Sequence, residues 1–399
     1  MELSHRGRTI QASPIRKLKP YVDQALAKGI HIYFLNIGDP DIPTPQPILD
    51  AVHGYSEKIL AYGPAQGFLE LRQAIAEYFH SYQIPLNSEN VIITCGGSEA
   101  ILFAFCVVAD PGDEIIIPEP FYTNYNGYAS ASCVNIVPLT LQAEDGYRLP
   151  PKGVIEARIT PKTRAIVLCS PNNPTGTVYT PEELERVVSL VRKHDLFLIG
   201  DEVYKEFIYD GGRHKSVLEY EEIKDRVIVV DSISKRFSCC GARIGAAISR
   251  NETVYQALLR FAQARLCPPT IEQKAALAAY KMGMGYFEPV RLEYQRRRNI
   301  LYEGLNAIPG VVVHKPQGAF YMSVKLPIHD TERFAVWMLT DFQVNKETVI
   351  VAPGPGFYST PGKGKDEIRI AYVLNEKDLK RAVEIFKAGL EKYKSTVER

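Results

Sequence analysis

The chain has 399 residues, 46% hydrophobic and 23% charged, with 47 Lys and Arg against 46 Asp and Glu for a formal net charge of +1. That length exceeds one simple domain and the balance is that of a globular protein, so one large and one smaller unit are expected. Even, unclustered charge argues against an electrostatic nucleic-acid or membrane-surface binder.

No apolar run approaches the roughly 18 residues of a membrane span, and the N-terminal stretch has no apolar core of signal-peptide length. The seven cysteines are scattered apart from the adjacent Cys239 and Cys240. They lack zinc-site spacing, so no metal is expected, and free thiols point to a reducing cytoplasm.

Proline punctuates about the first 45 residues, which show no core pattern of their own. Residues 1–48 are therefore expected to pack on the smaller domain, with 49–286 forming the large domain and 287–399 the small C-terminal one. Between about residues 90 and 250, Val91–Thr94, Glu114–Ile117, Ala165–Cys169, Leu196–Gly200, Val227–Asp231 and Ile244–Ile248 read as short buried strands rich in Ile and Val. Helical patterns lie between them. In Pro181–His194, Leu184, Val187, Val188 and Val191 recur at helical spacing behind Thr180, Pro181 and Glu183, a cap, a first-turn proline and a capping-box carboxylate. Such alternation implies an α/β fold whose large domain holds a mostly parallel sheet flanked by helices.

Past residue 250 helix formers dominate Asn251–Arg265 and Ile271–Leu305, the second run broken where Met and Gly alternate in Lys281–Tyr286. Strands at Val311–His314, Phe320–Lys325 and Ile368–Val373 and helices at Glu332–Thr340 and Glu376–Tyr393 complete a smaller α/β domain.

Parallel α/β sheets bind ligands beyond the carboxyl ends of their strands, and the unusual polar residues follow four such ends. Gly97 and Ser98 open a helix after Val91–Thr94, either as a plain strand-to-helix turn or as an anion cradle. Asn172 and Asn173 occupy a proline-bracketed turn, where asparagine often serves only the backbone, Asn172 more so than Asn173. Asp201 ends an apolar run without a local partner, and a buried carboxylate must find one; Tyr204 follows in the same loop. Lys235, behind Ser232 and Ser234, is poorly placed for solvation, and Schiff-base chemistry uses such a lysine with a depressed pKa. Arg243 stands between Gly241 and Gly245, free to clamp a phosphate or to face solvent.

Ser232-x-Ser234-Lys235 with Arg243 eight residues on, Asp201-x-x-Tyr204 and Asn173-Pro174-Thr175-Gly176 together resemble the class I/II aminotransferases of the aspartate aminotransferase superfamily, pyridoxal phosphate (PLP) fold type I. The resemblance runs from Asn36 to Ala371. It implies PLP as cofactor, an amino acid and a 2-oxo acid as substrates, and Lys235 as the Schiff-base lysine and proton carrier. Asp201 would pair with the ring nitrogen, Asn173 and Tyr204 with the 3′-oxygen, and Tyr122 would stack on the ring. Gly97, Ser98, Ser232 and Arg243 would hold the phosphate, and Arg369, Gly38 and Asn173 the α-carboxylate. Tyr62 would reach the partner subunit's phosphate, which implies a homodimer with shared sites.

The sequence departs from the pattern at Tyr122, where many relatives have tryptophan, and at Cys239-Cys240. The roles of Arg265, near a position that reads a side-chain carboxylate in some members, and of Tyr358 stay open. Aspartate-like or broad specificity is expected. A PLP-dependent lyase on the same scaffold is the alternative, because the same lysine, aspartate and arginine serve elimination. A non-catalytic regulator would need a DNA-binding extension for which no residues remain.

Overall fold

In the computed structural model, which describes residues 1–398, a seven-stranded sheet fills the middle of the molecule. Its order is Val91–Thr94, Gly245–Ile248, Val227–Ser232, Phe197–Asp201, Thr163–Cys169, Glu114–Glu119 and Asn135–Thr140. Five neighbouring strands run parallel. Gly245–Ile248 is antiparallel to both Val227–Ser232 and Val91–Thr94. An antiparallel strand begins at the edge where its neighbours end, so Arg243, just before it, arrives where Ser232 leaves.

Both faces are covered, which is why these strands read as unbroken apolar runs. Along Val227–Val230, alternate side chains enter separate clusters: Val227 and Val229 join the one that also holds Leu184 and Val187, Ile228 and Val230 the one that holds the Gly96–Val108 helix. The Pro181–Lys193 helix starts as its sequence indicates. Thr180 Oγ1 accepts the Glu183 amide at 3.2 Å and Glu183 Oε2 accepts the Thr180 amide at 2.8 Å.

The six strands read from the sequence between residues 90 and 250 are present, with ends moved by a residue or two; the seventh, Asn135–Thr140, was not anticipated. It is an edge strand of mixed exposure, so it lacks the apolar run that marks its neighbours. Helices Thr270–Tyr280 and Phe287–Asn306 flank the break at Lys281–Tyr286.

A second cluster gathers Leu301, Phe320, Met322, Phe334, Ile370 and Phe386 around a four-stranded sheet built on Tyr321–Lys325 and Glu367–Ala371. The early residues, which show no core pattern in sequence, do contribute a strand: His31–Phe34 pairs in parallel with Glu347–Ile350 and buries Ile32 and Tyr33. Helix Lys19–Ala27 packs beside it against Thr331–Thr340. Residues 6–16 instead reach toward the large sheet: the Arg6 guanidinium donates to the Ala131 carbonyl at 3.2 Å, and Asn126 Nδ2 to Gln11 Oε1 at 2.9 Å.

Candidate active site

The loops after five strands that run the same way open into one cleft of about 320 Å³. Gly97, Ser98, Tyr122, Asn173, Asp201, Tyr204, Ser232, Lys235 and Arg243 line it from the large sheet, and Gly38 and Arg369 from the other side. Tyr62 lies apart, 81% exposed, in a surface hollow with Leu60, Cys267 and Pro268.

Lys235 follows the Val227–Ser232 strand in a single helical turn, Ile233–Arg236. Its Nζ donates to the Gly38 carbonyl at 2.8 Å and lies 3.4 Å from Cys240 Sγ. Burial alone would lower this lysine's pKa, but Tyr321, Cys240 and Asp39 around it raise it above its ordinary value. The expected depressed pKa is therefore not a property of the cofactor-free chain.

Asp201 is buried at its strand end, and the Tyr125 hydroxyl donates to Oδ2 at 2.6 Å. Burial pushes the carboxyl up to about 6, although the Tyr125 bond pulls it down. The other oxygen, Oδ1, is buried without a hydrogen-bond partner among the described residues. That orphan fits a cationic ring nitrogen, because a buried carboxylate oxygen left unpaired is costly.

Arg369 presents the opposite charge. It comes from the middle of the Glu367–Ala371 strand and is only 3% exposed. Nη1 donates to Asn173 Oδ1 at 3.1 Å and Nη2 to the Asn36 carbonyl at 2.5 Å. Its guanidinium lies over the Tyr321 ring at 4.6 Å and the Phe357 ring at 5.0 Å. Among the described residues no carboxylate pairs with it. The two asparagines divide as the sequence suggests: Asn172 Oδ1 accepts from the Thr175 amide and hydroxyl within its own turn, while Asn173 faces Arg369.

At the other end, Gly97 and Ser98, in the first turn of the Gly96–Val108 helix, line the cleft. Arg243, in the left-handed region at φ 54°, folds back so that a side chain at Gly96 would overlap its guanidinium. Ser232 Oγ sits 2.9 Å from Ser234 Oγ and 3.1 Å from the Ile244 carbonyl. Helix amides, hydroxyls and an exposed guanidinium form a cradle suited to a phosphate.

The comparisons with known proteins settle the lineage. The family "Aminotransferase class I and II" matches residues 31–386. The chain belongs to that family. An aspartate aminotransferase of Sulfurisphaera tokodaii is 35% identical over 367 residues, 90% of each chain. Aromatic-amino-acid aminotransferase 2 of Thermococcus litoralis is 33% identical across 96% of this aminotransferase and 97% of its own length. The structure of Thermus thermophilus aspartate aminotransferase with maleate superposes with a TM-score of 0.87 at 30% identity, covering 98% of this chain and all of that one. This aminotransferase thus has the α/β architecture of that family, uses pyridoxal phosphate, and transfers amino groups between amino acids and 2-oxo acids.

The structure adds residues in and behind the cleft that sequence reasoning passed over. Tyr321 places its hydroxyl 3.1 Å from that of Tyr204, and Tyr125 holds Asp201. Ser13, Ile15 and Arg16 of the N-terminal segment also line the cleft. Tyr125 follows Tyr122 by three residues, a weak sequence mark; Tyr321 has none. The two open residues turn away. Arg265 donates to Glu99 Oε2 at 2.8 Å and to the Ala65 carbonyl at 2.9 Å. The Tyr358 hydroxyl donates to Glu367 Oε2 at 2.8 Å, and neither residue is among those lining the cleft.

Proposed function

We propose that transamination is carried by Lys235, with Asp201 and Arg369 as the fixed charges on either side of the reacting centre. One observation supports this above the others. A buried carboxylate oxygen and a buried guanidinium, each without a counter-ion among the described residues, line a single cleft with a lysine. Each of those unpaired groups costs stability, a cost that a ligand of opposite charge offsets.

Pyridoxal phosphate, when bound, supplies an aldehyde for an amine and a ring that withdraws electrons. Asp201 Oδ1 would keep the ring nitrogen charged, Asn173 and Tyr204 would hydrogen-bond the 3′-oxygen, and Tyr122 would cover the ring face. Gly97, Ser98, Ser232 and Arg243 would hold the phosphate. Arg369, with Asn173 and the Gly38 backbone, grips the substrate α-carboxylate and so orients Cα toward the lysine. Lys235 Nζ, once the substrate amine has taken its place, would take the proton from Cα and deliver it to the carbon that carries the cofactor's aldehyde group, so that the amino group stays with the cofactor. Tyr204 and Tyr321, hydroxyl to hydroxyl, keep the site's polar edge in place.

For a second, side-chain carboxylate the cation is Arg16. Arg265 is occupied by Glu99, whereas the Arg16 side chain lines the cleft without an ion-pair partner among the described residues. This favours acidic amino donors with 2-oxoglutarate or oxaloacetate as acceptor. The apolar patch of Ile59, Leu60, Tyr62 and Leu266, 53% to 81% exposed, supports a homodimer in which Tyr62 completes the partner's phosphate site. Seven free thiols suit the cytoplasm. Boundaries near residues 48 and 286 divide the chain.

The test is a screen of the twenty amino acids against both acceptors with purified protein, together with Lys235→Ala. Turnover with acidic donors that is abolished in Lys235→Ala is the expected result. Activity retained by that variant would refute the assignment.

A further inference from the structure

Behind the lysine turn lies a group of ionisable side chains that no role in the cleft explains. Lys205, Glu206, Asp231 and Arg236 are all buried. Lys205 Nζ lies 2.9 Å from Asp231 Oδ2. The Arg236 guanidinium pairs with Asp231 Oδ1 through Nη2, and its Nη1 lies 3.4 Å from Glu206 Oε1. Phe79 and Tyr78 close the group, their ring centres 4.0 and 4.8 Å from Lys205 Nζ. Burial holds Lys205 down to about 8 and Glu206 up to about 8.

Two bases and two acids can offset one another when ionised, but taking ionisable groups out of water is costly, and apolar side chains of the same volume would serve stability as well or better. The value of the group lies in its chain positions. Lys205 and Glu206 directly follow Tyr204 in the loop of Asp201. Asp231 and Arg236 bracket Ser232 and Lys235. The ladder between the two parent strands ends at Asp201 opposite Val230, with a last bond from the Glu202 amide to the Val230 carbonyl at 3.0 Å. Where backbone pairing stops, the ion group takes over. Asp231 Oδ1 also accepts the Ser232 amide at 2.8 Å, so one carboxylate ties down both flanks of the lysine turn. Successive helical side chains diverge by about 100°; anchoring Arg236 into the interior therefore fixes the rotation that turns Lys235 into the cleft.

We propose that Lys205, Glu206, Asp231 and Arg236 are positioning residues that hold the Asp201–Tyr204 loop and the Ser232–Lys235 loop in a fixed mutual register. The proposal rests on the roles assigned above to Asp201 and Lys235. The four residues touch neither cofactor nor substrate.

The decisive variant removes one acid and one base, Glu206→Met with Arg236→Met. Its melting temperature stays level or rises, while kcat falls roughly tenfold to a hundredfold with KM little changed, the size expected for slight misplacement of a catalytic group. The pH midpoint of the lysine–cofactor absorbance band moves as well. A folded double variant with wild-type kcat and midpoint would overturn the proposal. If it does not fold, Glu206→Gln is read the same way: a shifted midpoint and lower kcat support the register role, and wild-type values for both overturn it. Lys235→Ala is measured alongside. If it keeps the band, the lysine's own role falls and takes this proposal with it; if it loses the band while the double variant behaves as wild type, the quartet alone is refuted.

Discussion

Arg369 is the most exacting single residue in the cleft. Its guanidinium is held by a backbone carbonyl and an amide oxygen, both neutral, so the full positive charge is left for a substrate. Arg369→Ala should weaken every α-carboxylate ligand by about 2–5 kcal/mol, the usual cost of losing a buried charged contact. Calorimetric titration with acidic and neutral amino acids checks it, and a loss confined to acidic ones would reassign the residue. Asp201 gives a pH signature. Its carboxyl rises from 3.8 to about 6 in the fold. Between those values the native chain binds more protons than the unfolded one, so cofactor-free stability falls as pH rises through that window and stays lower above it. A cationic ring nitrogen reverses the penalty. Cofactor affinity should therefore tighten as pH rises through about 6 and level off above it, and the difference between wild type and Asp201→Asn should isolate that slope. Lys235 and Asp201 were legible in sequence because each is a charged group directly after an apolar run. Tyr125 and Tyr321 were not, because their partners lie 76 and 117 residues away and tyrosines are common in this chain.

At the scale of elements, the strand ends do most of the positioning, and glycines set how closely the two sides approach. A side chain at Gly38 would overlap the Tyr321 hydroxyl. Gly38→Ala should push Tyr321 away from Tyr204 and Arg369 and raise KM for the amino acid roughly tenfold or more, read in steady-state kinetics. Thr180→Ala is the contrasting case. It removes one half of a capping box on a helix that does not line the cleft, so it should cost about 1 kcal/mol in denaturant unfolding and leave kcat alone. The sheet's central strands announced themselves by length and composition. Asn135–Thr140 escaped notice because an edge strand needs no continuous apolar run, and His31–Phe34 because its partner begins at Glu347. Periodicity within a short window carries no information about either.

On the scale of the whole molecule, the N-terminal segment joins the two sides. Leu18 is buried against the small-sheet side, Ile15, Arg16 and Ser13 line the cleft, and Arg6 and Gln11 are tied to the Asn124–Ser132 helix and the residue after it. Deleting residues 1–12 removes those last tethers and spares the buried part. KM for the amino acid should rise several-fold while cofactor retention, followed by absorbance after gel filtration, is unchanged.

The strand order has a consequence for how the protein is made. Val91–Thr94 is an edge strand whose only ladder partner among the described residues is Gly245–Ile248. A nascent chain leaves the ribosome amino end first, so this Ile-rich segment stays unpaired from the synthesis of residue 94 until that of residue 248. Truncated nascent chains ending between those points expose an open β edge, the kind of surface that aggregates or recruits chaperones. Arg243 emerges only at the end of that interval and Arg369 later still, so loading with cofactor belongs to the nearly finished polypeptide.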